Sequence, residues 1–143
     1  KSEDEQHTWD YVVSSYTPSL SALLRCSDMA ENRSRLKPTM LLVTQPATPR
    51  SGLSPLKYVR EESARLRALL PSQDNTFCEH DEARLETVLA AVRRHPWVHF
   101  ACHGSQNLHD PTQSAFELFD GPLTLSALMG TVSENAELAF LSA

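Results

Sequence analysis

The segment Asp81–Arg94 places Leu85, Val88, Leu89 and Val92 on one helical stripe, opens on acidic residues and closes on Arg93-Arg94, as a helix dipole favours. His95-Pro96 ends the pattern, and Trp97–Ala101 follows at once as a run of strand-forming residues. A helix feeding directly into a short apolar strand is the repeating unit of a parallel sheet, because parallel neighbours need a crossover between them. This junction therefore constrains the chain to an α/β architecture more tightly than any other stretch.

The upstream sequence repeats the same grammar. Asp10–Tyr16 reads as a strand, and Thr17-Pro18-Ser19 supplies a turn and an N-cap before Leu20, Leu23 and Leu24. A polar loop over Ser27–Lys37 and Pro38 lead into Thr39–Thr44, an apolar run suited to a strand buried on both faces. Pro46, Pro49, Gly52 and Pro55 mark a second loop. Val59, Ser63, Leu66, Leu69 and Leu70 then predict an amphipathic helix stopped near Pro71. Up to Trp97–Ala101 the predicted order is β-α-β-α-α-β. Beyond it lie a short strand near Phe116–Phe119, a turn at Asp120-Gly121-Pro122, a brief helix capped by Thr124, and a last strand over Glu137–Leu141.

With 143 residues the chain has the size of one domain. Residues 1–9 are expected to be a linker or tail and residues 10–143 the domain. The first residue is Lys, so the natural start of the protein is expected to lie upstream. A net charge of −5 gives no support to sequence-independent nucleic-acid binding, which needs clustered Lys and Arg. No run of about 18 apolar residues occurs and Lys1–Gln6 lacks the apolar core of a signal peptide, so no membrane partner and a cytoplasmic location are expected. Three cysteines, Cys26, Cys78 and Cys102, are an odd number without CxxC spacing, which reads as reduced thiols rather than a disulfide framework or zinc ribbon. Four glycines form no phosphate-cradling cluster, so no nucleotide cofactor is expected.

His103 sits where the strand ends and a loop begins, a place where an imidazole reaches solvent and substrate. Taken alone it reads better as a structural or merely exposed histidine than as a catalytic one. Gly104 beside it lets a carbonyl group approach its backbone N–H closely. A metal site made from His99 and His103 would need a helix to bring both to one face, and the segment reads as strand. Cys102 adjoins His103, but successive strand residues point to opposite faces, which makes it a buried thiol. Cys26 and Cys78 read as structural or incidental. Asp120 is either a turn residue or an acid near a substrate channel, and Ser105, Asn107 and His109 either line a cleft or are solvated.

Val98-His-Phe-Ala-Cys-His-Gly104, Asp120-Gly-Pro-Leu-Thr-Leu125 and Ala136-Glu-Leu-Ala-Phe-Leu-Ser-Ala143, together with Ser15-Tyr-Thr-Pro-Ser-Leu20, resemble the CHAT domain, a caspase- and separase-related family. The resemblance spans nearly the whole chain. It implies a caspase-like three-layer sandwich with a mostly parallel sheet, whose C-terminal part is expected beyond Ala143. It also implies a cysteine endopeptidase in which His103 is the general base and acid and Gly104 gives an oxyanion-hole N–H. The nucleophilic cysteine is expected directly after Leu141-Ser-Ala143, so these residues by themselves are expected to be inactive. Neighbouring parallel strands lie about 5 Å apart, close enough for that thiol and His103 to meet. The alternative is a catalytically dead interaction or scaffold domain of the same fold. A third expectation is one part of a protein processed into subunits. The implied partners are a protein or peptide substrate and an upstream TPR-like repeat module. The edge of the last strand is expected to make the isolated chain self-associate.

Overall fold

The computed structural model describes residues 19–21, 23–24, 38–49, 52–131 and 136–142. Two compact units divide the chain, Lys1–Ser34 and Arg35–Ala143. In the first, the described residues form a helical turn in which the Leu23 N–H donates to the Ser19 carbonyl at 3.2 Å. The strand expected over Asp10–Tyr16, the loop over Ser27–Lys37 and Cys26 lie outside the described residues, as does the linker expected over residues 1–9.

The second unit runs β1 (Met40–Gln45), α1 (Val59–Leu69), β2 (Thr76–Glu79), α2 (Leu85–Val92), β3 (Trp97–Cys102), β4 (Gly104–Ser105), β5 (Ala115–Glu117), β6 (Pro122–Thr124), α3 (Leu125–Met129) and β7 (Leu138–Ser142). Strands β2-β1-β3-β7 form an all-parallel sheet, and β4-β5-β6 a small antiparallel one. The molecule is thus α/β with a parallel main sheet.

β1 lies inside the sheet, and its apolar run is buried on both faces, with Leu41, Leu42 and Val43 all at 1% exposure or less. Full burial of a Leu or Val contributes about 1.5–3 kcal/mol, so β1 is the strand the fold can least lose. Leu41, Val43, Cys78, Phe100 and Cys102 share one face with Val88, Ala91 and Val92 of α2 and with Leu118 and Leu123. α1 covers the other face through Val59, Ser63 and Glu62, the last of which reaches His99. Helix, sheet and helix make the three layers. Phe100 stacks on Phe116 with ring centroids 4.7 Å apart, which binds the small sheet to the large one.

The structure departs from the sequence reading at several points. β2 has no counterpart in it: Thr-Phe-Cys-Glu is short and ends on a charge, and it becomes a strand because β1 offers it a parallel ladder. The helix expected from Asp81 begins at Leu85, since His80–Glu82 form a 3-10 turn and Asp120 Oδ1 accepts the Leu85 N–H at 2.9 Å. Pro122, read as part of a turn, opens β6, which pairs with β5. The last turn of α1 leaves Leu69 78% exposed, so only the first half of its apolar stripe is covered. Thr124 does cap α3, accepting from the Ala127 N–H at 3.2 Å.

Candidate active site

The downstream ends of the parallel strands gather the groups on which the sequence reading centres. β3 alternates, burying Phe100 and Cys102 on the α2 side, and His103 follows as the chain leaves the sheet. The loop from β1 to α1 is closed by the Leu56 N–H donating to the Pro46 carbonyl at 2.8 Å. That closure carries the Ser54 carbonyl to 3.0 Å from His103 Nε2. A carbonyl only accepts, so Nε2 carries a proton, and in the neutral ring Nδ1 holds the lone pair. The imidazole remains partly exposed. Sequence reasoning missed Ser54, and no signal could have found it, because any residue carries a backbone carbonyl.

Gly104 is exposed at the start of β4. The Glu117 N–H donates to the His103 carbonyl at 2.8 Å, which makes Gly104 and Phe116 a non-hydrogen-bonded pair of the antiparallel ladder. The Gly104 N–H therefore points away from β5. A Cβ at this position would meet only the Ala115 carbonyl, at 3.9 Å, an ordinary contact. The fold itself does not demand glycine here.

Cys102 is 1% exposed in the core, and burial, with a further contribution from the Glu117 carboxylate, pushes its thiol up to about 12. Such a thiol is neither ionised near neutral pH nor accessible. Cys78 is likewise buried and its thiol raised, by burial first and by Glu82 second. His99 and His103 lie four residues apart on extended chain, about 13 Å at 3.3 Å per residue, too far to share one metal ion. Among the described residues no three His, Cys, Asp or Glu side chains are grouped as metal ligands.

His99 is 4% exposed, stacks on Phe140 at 4.9 Å, and has Nε2 3.2 Å from Glu62 Oε1, though out of hydrogen-bonding alignment. Burial lowers its pKa, an effect Glu62 partly opposes. Glu62 Oε2 also accepts from Ser142 Oγ at 3.1 Å. Asp120 Oδ1 accepts the Leu85 N–H at the start of α2. Asn107 Oδ1 accepts from the His109 and Asp110 N–H groups, each at 3.0 Å, and Ser105 Oγ donates to Glu117 at 2.9 Å, so these residues staple their own loop.

No helix among the described residues is long and apolar enough to cross a membrane. A family model described as CHAT domain matches residues 2–143. None of the curated proteins and none of the solved structures matches the chain.

Proposed function

The chain belongs to the CHAT domain family, which makes its function caspase-like and peptidase-related, and from that premise we propose that it carries the catalytic histidine of a cysteine endopeptidase acting on proteins or peptides. The observation that carries the reading is the hydrogen bond from His103 Nε2 to the Ser54 carbonyl. It leaves Nδ1 as the base and orients the ring, which is the arrangement proton transfer at a nucleophile needs.

The nucleophile in this reading is a cysteine directly after Ala143, following the family's Leu-Ser-Ala pattern. The β3–β7 register supports it: Ala101 pairs with Ser142, and counting two residues on from each gives His103 and the residue after Ala143. Cys102 is unsuited to the part, being buried with its thiol raised to about 12.

The chemistry then runs in balanced steps. His103 Nδ1 takes the thiol proton as sulfur bonds to the peptide carbonyl carbon. The displaced electron pair moves to oxygen, where the Gly104 N–H donates. Collapse of this adduct breaks the carbon–nitrogen bond, and the amine leaves with the proton held by His103. Water hydrolyses the resulting thioester with His103 in the same role, releasing the acid and restoring the thiol. No cofactor enters these steps. Control by an upstream TPR-like module and a cytoplasmic setting belong to the same reading.

The test is an electrophilic peptide probe applied to the protein extended through the residue after Ala143. Labelling of that residue, abolished by His103→Ala, is the expected result. Labelling indifferent to His103, or a residue other than cysteine at that position, overturns the reading and leaves the scaffold alternative.

A further inference from the structure

We infer that Glu62 is a positioning residue that fastens the downstream end of β7 to α1; its functional meaning rests on the peptidase reading above, its geometry does not. Glu62 lies three residues after the buried Val59, on the sheet-facing side of α1, with its side chain 29% exposed. Ser142 Oγ donates to its Oε2 at 3.1 Å, and the ring nitrogen of buried His99 lies against Oε1 at 3.2 Å, out of hydrogen-bonding alignment. His99 in turn stacks on Phe140, its register partner on β7. One carboxylate thus touches a side chain in the middle of β3 and the last residue of β7.

The upstream end of β7 is tied by the Leu138 N–H to the Pro96 carbonyl at 3.2 Å, but its downstream part is little buried. Leu138, Phe140 and Leu141 are 48%, 55% and 58% exposed, and among the described strands β3 alone pairs with it. With so little burial, the ladder to β3 and the Glu62 contact set where its end lies. Ser142 is two residues before the proposed nucleophile, so a shift of Ser142 displaces that nucleophile.

Two arms test this. In the 143-residue chain, hydrogen exchange of whichever of the Leu141 and Ser142 amides faces β3 is expected to quicken about tenfold in Ser142→Ala and in Glu62→Leu. In Glu62→Gln, which keeps an acceptor oxygen, it stays near wild type. In the extended protein, Ser142→Ala and Glu62→Leu each lower kcat about tenfold with KM little changed. The double variant is no worse than either single one, as for two members of one contact. Unchanged exchange in both variants, or additive losses, overturns the inference. Should Glu62→Leu not fold, the milder Ser142→Ala decides by itself. An extended protein without turnover even as wild type sinks the peptidase reading, while the exchange arm still decides whether Glu62 holds β7.

Discussion

The Ser54 carbonyl accepts a hydrogen bond from His103 Nε2 at 3.0 Å across 49 residues of chain. Loop closure at Pro46 and Leu56 brings the two together, and the bond selects one of two imidazole tautomers. Nitrogen-15 spectra of the neutral ring are expected to show the proton on Nε2. A ring protonated mainly on Nδ1 contradicts the assignment of Nδ1 as base.

Gly104 is exposed, and a Cβ there meets only the Ala115 carbonyl, at 3.9 Å. Gly104→Ala is expected to change stability by no more than about 1 kcal/mol. Probe labelling of the extended protein should fall at least about tenfold if the Gly104 N–H is the proposed oxyanion donor, because the methyl group would stand beside it. Unaltered labelling removes Gly104 from the site.

Cys102 is buried among apolar side chains with its thiol raised to about 12. Iodoacetamide is expected to leave it unmodified in the folded chain and to alkylate it in denaturant. Cys102→Ser places a hydroxyl in that core and should cost about 1–3 kcal/mol. Rapid alkylation under native conditions reopens Cys102 as a nucleophile.

His95 is buried between Thr39 Oγ1 at 2.9 Å and Thr76 Oγ1 at 2.8 Å, and burial, then Arg94, lowers its pKa. His99 is lowered too, by burial. Both would titrate near the ordinary 6.5 in the unfolded chain. Above that value neither state binds the proton; below it the unfolded state binds first, so stability declines as the pH falls toward the folded values. Each histidine contributes at most about 1.4 kcal/mol per pH unit. Urea midpoints should drop between about pH 7.5 and 5.5, less steeply in His95→Asn. A midpoint rising on acidification refutes this.

Leu138, Phe140 and Leu141 are exposed on β7, which pairs on one side with β3. Strand edges of this kind recruit other strands, so the isolated 143-residue chain is expected to self-associate as its concentration rises. Light scattering that reports a monomer at high concentration tells against it.

The elements that read most clearly from sequence are those with a strong local period or a buried run. The α2 stripe, the β1 apolar run and Trp97–Cys102 all stand close to where the pattern puts them. Those that read poorly owe their conformation to a distant partner. β2 is a strand because β1 pairs with it, Pro122–Thr124 because β5 does, and α2 starts late because Asp120, 35 residues away, meets the Leu85 N–H.

The same division runs through the site. Composition and periodicity by themselves determined an α/β chain with a parallel sheet, a histidine and glycine at a strand's end, and a thiol at Cys102 turned the other way, because these follow from side-chain alternation and hydrophobic spacing. Only the tertiary structure decided which ring nitrogen of His103 is held, that Asp120 serves a helix start, and that Glu62 joins α1 to β3 and β7. Each of these depends on a backbone carbonyl or a polar atom meeting a group far away in the chain, and local propensity carries no record of such meetings.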